Sequence, residues 1–148
     1  MGINQTAIIG AYLLLFRDKE LLLTQKRGGG DRDGIYLPLA GHVEEGETVI
    51  EAIIREAKEE ANILLEPKNL QVSVVVHRQN SDYFLEKRDI IDFFIYASKY
   101  SGEIKNNEPE KCYKIDFYPL DNLPSPLIPH MNLVINAYFT KKFYLIYP

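Results

Sequence analysis

Residues 41–62, GHVEEGETVIEAIIREAKEEAN, hold seven glutamates, and their order restricts what the segment can become. Thr48 followed by Glu51 has the spacing of a capping box and predicts a helix that starts at Thr48, after the glycine-containing turn EEGE. At about 100° per residue, Ile50, Ile53, Ile54, Ala57 and Ala61 share one face, an amphipathic stripe that must be buried against another element. Asn62 closes the helix, because asparagine tolerates the left-handed backbone found at helix ends. Glu56, Glu59 and Glu60, at i, i+3 and i+4, then project within about a third of the circumference beside the apolar stripe. Two such charges about 5 Å apart repel by roughly 3 kcal/mol at an effective dielectric near 20, a cost that helix stability alone does not explain.

A divalent cation converts that repulsion into affinity. Mg2+ is the natural guest, since it takes oxygen ligands from a few carboxylates together with substrate phosphates; Mn2+ is the alternative. The bland reading of three glutamates by themselves is a solvated acidic face. Their flanks decide against it: Gly41, Glu47, Arg55, Glu56, Glu59 and Glu60 stand in the order G-x5-E-x7-R-E-x-x-E-E. At average residue frequencies this arises by chance on the order of once in 10^5 chains of this length.

Residues 41–63 resemble the Nudix box of the Nudix hydrolases, G-x5-E-x7-R-E-U-x-E-E-x-G-U with U aliphatic. Gly41, Glu47, Arg55, Glu56, Glu59, Glu60 and Ile63 match, Ala57 is a small member of its class, and Asn62 departs by standing where the pattern has glycine. The resemblance implies an α/β Nudix fold, an α/β/α sandwich with a mixed β-sheet, spanning residues 1–148 as one domain. It implies that Glu56, Glu59 and Glu60 ligate metal with the Gly41 carbonyl, and that Glu56 or Glu59 acts as base. It also implies that Arg55 pairs with Glu47; a direct phosphate contact by Arg55 stays open.

Outside the box, LPLAGHVEEGE and NNEPEKCYKIDFYPLDNLP (106–124) resemble the small Nudix hydrolases that act on nucleoside triphosphates and related nucleotides. In the second segment Glu108 is the candidate for an additional metal ligand or base, against the reading of a plain loop glutamate. Lys26, Arg27 and Arg32 precede the box and are candidates to meet phosphates, with plain surface charge as the alternative for Arg27. His42, next to Gly41, is a further substrate-binding candidate. Tyr36, Tyr83, Phe84, Phe93 and Phe94 are candidates to stack on a base, although aromatics on strands are more often core.

The implied reaction is cation-dependent hydrolysis of a diphosphate linkage, with a (deoxy)nucleoside triphosphate yielding a monophosphate and pyrophosphate. The rival substrates are nucleoside diphosphate sugars, ADP-ribose and dinucleotide polyphosphates. The rival class is a Nudix module that binds nucleotides without turnover.

The remaining chain fits one globular unit. A length of 148 residues suffices for one core. The net charge of -4 argues against binding nucleic acid polymers. The apolar run at the N-terminus is too short to span a bilayer, so no membrane partner is expected. The single Cys112 reads as a small buried thiol and suits a reducing, cytoplasmic setting.

Strands are expected over 6–16, 20–26, 70–78, 90–98 and 114–120, with RGGGDRDG as a mobile loop and a long hairpin loop between 78 and 90. A C-terminal helix is expected in LIPHMNLVINAYFTKKF, with LIYP trailing and a homodimer through this aromatic end left open.

Overall fold

A computed structural model of the chain describes Gly2, residues 5–83 and residues 86–148. The expected aromatic at Phe84 lies outside the described residues. At its centre is β1 (Ala7–Leu14), whose Ala11 and Leu13 face one side while Tyr12 and Leu14 face the other. Burial on both faces accounts for its nearly unbroken apolar sequence.

β1 runs parallel to β7 (Glu86–Ala97) and antiparallel to β5 (Ala40–His42). β6 (Leu70–Tyr83) pairs antiparallel with β7 and parallel with β9 (Tyr144–Tyr147), giving a mixed sheet in the order β5-β1-β7-β6-β9. A second, antiparallel sheet joins β2 (Phe16–Arg17), β3 (Glu20–Lys26), β4 (Tyr36–Leu37) and β8 (Cys112–Pro119), with β8 on β3.

The helix α1 (Val49–Ala61) buries Ala52, Ile53, Ala57 and Ala61 among Ala11, Leu13, Ile95 and Ala97. On the opposite face α2 (Met131–Phe139) buries Met131, Val134 and Ala137 among Tyr12, Leu14, Val74, Val76 and Phe94. The two helices therefore sandwich the mixed sheet, as the box implied. Among the described residues no helix is long and apolar enough to cross a membrane.

Several expected elements come out differently. The apolar run 6–16 divides at Leu15, so its two parts serve different sheets, and the chain on either side of Pro38 likewise contributes β4 to one sheet and β5 to the other. The long hairpin loop expected after residue 78 is instead paired strand, with Ser81 opposite Arg88 and Tyr83 opposite Glu86. A cross-strand ion pair, Lys87 Nζ to Asp82 Oδ1 at 2.6 Å, helps hold this polar ribbon, whose composition alone reads as loop.

The C-terminal helix starts only at Met131, because Pro129 disfavours helical backbone just before it. It stops where Lys141 turns left-handed at φ 59°. The trailing LIY belongs to strand β9, which β6 recruits as its edge partner. The glycine-rich segment after Arg27 is a bonded turn rather than a free loop: Asp33 Oδ1 accepts from the N–H groups of Gly28 and Gly29, both at 3.1 Å, and from the Tyr113 hydroxyl.

The α2 side of the sheet encloses a polar cluster. Asp92 on β7 is fully buried and accepts a 2.7 Å bond from Arg78 Nε. Gly10 on β1 makes room for it, since a Cβ there would stand 2.6 Å from Asp92 Oδ1. His130, also buried, has no hydrogen-bond partner for Nε2 among the described residues, and that atom stands 3.6 Å from Asp92 Oδ2.

Burial, reinforced by the positive charge of Arg78, lowers the His130 pKa to about 4. The folded protein thus resists a proton that the unfolded chain accepts near pH 6.5, so stability contributed by neutral His130 is complete above that pH and is lost as pH falls toward 4. Unfolding free energy measured against pH is expected to fall in the parent relative to a His130→Asn variant by up to about 1.4 kcal/mol per pH unit within this window. A difference that stays constant with pH would show that His130 titrates like an exposed histidine.

Candidate active site

The orientation of α1 is fixed at both ends. Thr48 Oγ1 accepts from Glu51 N–H at 3.1 Å while Glu51 Oε1 accepts from Thr48 N–H at 3.2 Å, the reciprocal cap read in the sequence. Asn62 adopts φ 57° and ψ 29°, the left-handed cap expected of it. With its apolar stripe packed on β1, the helix turns Glu56 toward Gly41 on β5. The approach is so close that a Cβ on residue 41 would overlap the Glu56 carboxylate, and only glycine fits.

Arg55 organises the acidic groups around it. Its Nε donates to Glu47 Oε2 at 2.7 Å and its Nη2 to Glu47 Oε1 at 3.0 Å, a two-pronged pair that ties the loop before the helix to the helix. Nη1 donates to Glu56 Oε1 at 2.8 Å and to Glu59 Oε2 at 3.4 Å, and Nη2 reaches the His42 carbonyl at 3.3 Å. The guanidinium holds the Glu47 carboxyl down to about pKa 2, and Glu47 in turn raises the pKa of Arg55 above its ordinary value.

Glu60 stands in a different environment. Burial raises its carboxyl pKa well above the usual range, and its hydrogen-bonded neighbour Glu56 and the charge of Glu108 push it further in the same direction. Glu60 and Glu108 line one cavity of about 140 Å³ together with Thr24, Lys26, Lys111 and Cys112. Glu56, Glu60 and Glu108 thus bring carboxylate oxygens together at one corner, and such a donor set suits a hard divalent ion. Among the described residues no three acidic, histidine or cysteine side chains stand as an assembled cation site. Arg55 engages Glu56 instead, and the Glu59 side chain is 58% exposed.

The other candidates divide. Lys26 opens onto the same cavity as Glu60 and Glu108. Arg27 is drawn sideways, its guanidinium 5.1 Å from the centre of the Tyr113 ring and its Nη1 donating to the Pro109 carbonyl at 3.3 Å. His42 lies outside this cavity, in a separate depression with Ile9, Glu44 and Glu47, its ring 5.7 Å from that of Tyr83. Tyr36 and Phe94 are core, as is common for strand aromatics, and Phe93 packs against the α1 core.

Lys111 is a cavity residue that sequence reasoning passed over; its Nζ is 3.5 Å from Glu108 Oε2. The i, i+3 spacing from Glu108 was the available signal. Cys112 lines the cavity half-buried with a thiol pKa raised by burial, consistent with an inert role.

Because Gly41 and Glu56 compete for the same space, Gly41→Ala is expected to lower stability by about 1–3 kcal/mol in thermal or denaturant unfolding. Most of that loss should disappear when the same change is made in a Glu56→Ala background. An equal loss in both backgrounds would place the conflict elsewhere.

A family model of the NUDIX domain matches residues 6–140. The NAD-capped RNA hydrolase NudC of Photorhabdus laumondii is 36% identical over 118 residues, which cover 80% of this chain and 40% of that protein. The human 8-oxo-dGDP phosphatase NUDT18 is 32% identical over 120 residues, again 80% of this chain and 34% of that protein. The chain therefore spans well under half the length of these two relatives. A crystal structure of a MutT NUDIX hydrolase from Burkholderia pseudomallei shares the fold with a TM-score of 0.76 at 24% identity, covering 89% of this chain and 98% of that one. Since the matched residues run from the start of β1 through the end of α2 and include the whole acidic helix with its Arg55–Glu47 tie, the chain belongs to the NUDIX domain family.

Proposed function

We propose that residues 1–148 work as one hydrolase domain that cleaves a phosphoanhydride linkage in a nucleotide-type substrate with the help of a divalent cation, Mg2+ or Mn2+. The observation that carries this reading is the corner where Glu56 and Glu60 of α1 meet Glu108 beside a cavity lined by Lys26 and Lys111. Glu56, Glu59, Glu60 and Glu108, with the Gly41 carbonyl, are the groups that would hold the ion. Bound there, it would offset phosphate charge and make an attacking water more acidic.

The chain's own residues supply the rest. Lys26 and Lys111 attract the phosphates the ion leaves unneutralised, and Arg55 keeps Glu47 and Glu56 in place. Water attacks phosphorus, its oxygen forms the new P–O bond, and the anhydride P–O bond breaks with its electron pair passing to the departing phosphate. The proton from water goes to Glu56 or Glu59, and the exposed Glu59 has more room to take it.

The finer assignment is a (deoxy)nucleoside triphosphate giving a monophosphate and pyrophosphate, and it rests on the likeness of residues 106–124 to hydrolases of that kind. A second reading, a nucleoside diphosphate derivative, is favoured by the relatives named for NAD-capped RNA and 8-oxo-dGDP, both of which contain a diphosphate. A cytoplasmic setting belongs to the same proposal and rests on the lone cysteine.

Release of phosphate and pyrophosphate from nucleoside triphosphates, deoxynucleoside triphosphates and nucleoside diphosphate derivatives, with Mg2+, with Mn2+ and with chelator, tests the proposal. Cation-dependent release that falls by at least about 100-fold in Glu60→Gln is expected. Pyrophosphate from triphosphates selects the first reading and turnover of the diphosphate derivatives alone selects the second, whereas full activity in chelator would sink the proposal.

A further inference from the structure

An α-helix leaves its last four carbonyls without partners in the helix itself. In α1 these belong to Lys58, Glu59, Glu60 and Ala61; the cap N–H of Asn62 donates to the Lys58 carbonyl at 3.2 Å, and the segment between β7 and β8 answers the other three and adds a second bond to Lys58. Lys105 N–H donates to the Ala61 carbonyl at 3.1 Å and Asn107 N–H to that of Glu60 at 3.0 Å. The Asn107 side-chain amide donates to the carbonyls of Lys58 and Glu59 at 3.4 and 3.3 Å. In return, the cap residue Asn62 donates from Nδ2 to the Glu103 carbonyl at 2.9 Å.

This last bond uses the position at which the chain departs from the box. A glycine at 62 would adopt the same left-handed turn and would have no amide to offer. Gly102 completes the fit, because a Cβ there would overlap the Asn62 carbonyl oxygen.

The strap leads directly to Glu108. Asn106 Oδ1 accepts from Glu108 N–H at 3.0 Å, and Asn106 Nδ2 donates to the Cys112 carbonyl at 2.6 Å. The Glu108 carbonyl accepts from the N–H groups of Lys111 and Cys112, both at 2.9 Å. Residue 108 is thus fixed by its neighbours on one side and by the end of the helix on the other, and its carboxylate lines the same cavity as Glu60.

We propose that Asn62 and Asn107 are positioning residues that clamp the 103–108 strap to the C-terminus of α1 and so hold the Glu108 carboxylate as an oxygen donor beside Glu60. The proposal rests on the reading of this corner as a cation site. Asn107 acts through Glu108 and touches no substrate. The clamp is where this chain replaces the backbone freedom of a glycine cap with a specific tether.

The test is a double-mutant cycle read by calorimetric binding of Mn2+ alone to the full chain, with no turnover required. Asn107→Ala is expected to weaken Mn2+ binding by about 10-fold, in the range seen when groups that orient metal ligands are removed. In a Glu108→Gln background the same change should alter affinity by less than about twofold, since the group it positions is already gone. Asn62→Gly, which keeps the helix cap and deletes the tether, should behave in the same way. Equal losses in both backgrounds would mean a general structural role and overturn the proposal while leaving the cation site intact. Failure of the parent chain to bind Mn2+ at all would overturn the reading of the site, and this inference with it.

Discussion

The acidic surface depends on one guanidinium. Four carboxylates, those of Glu44, Glu47, Glu56 and Glu59, lie within 3.8 Å of Arg55, and no other basic side chain is paired with them among the described residues. Side by side on one helix and the loop before it, these charges would repel across a few ångströms. The planar fork of arginine satisfies two at short range through separate nitrogens, which a lysine ammonium does less well. The same group also fixes the entry loop, so the positions of Gly41, His42 and Glu47 relative to the helix follow from it.

The opposite end of the helix is organised by backbone rather than by charge. The carbonyls of Glu59, Glu60 and Ala61 at the end of α1 recruit a segment more than forty residues away, and with it the carboxylate of Glu108. The helix is therefore tied at its middle to the preceding loop by Arg55 and Glu47 and held at its finish by Asn62 and Asn107, with Glu56 and Glu60 between the two grips. Rigid support on both sides suits carboxylates that must keep their separation whether or not a cation offsets their repulsion.

Beneath the site, the mixed sheet is stiffened by contacts that the helix does not share. The buried pair of Asp92 and Arg78, with His130 beside it, sits on the α2 side, whereas the acidic helix packs on the other face. A buried ion pair of this kind contributes little net stability, and its partners are costly to separate. Gly10 and Asp92 consequently fix how β1 and β7 lie against each other, because any side chain at residue 10 would displace the carboxylate.

By itself the sequence determined the acidic helix, its two caps, the apolar stripe that seats it, the fold that the box implies and the Arg55–Glu47 pair. The helix, its caps and its stripe follow from interactions within about fifteen residues, where spacing dictates which side chains meet, whereas the fold and the Arg55–Glu47 pair followed from the resemblance to the Nudix box. Only the tertiary structure decided which distant groups complete the corner. It brought Lys26, Lys111 and Glu108 to Glu60, turned Arg27 onto Tyr113 and set His42 apart in another depression. It also converted a polar stretch and a trailing tail into strands, since pairing with β6 and β7 outweighed local composition. Such outcomes depend on sheet order and on which backbone groups are left unpaired, and a one-dimensional pattern carries neither.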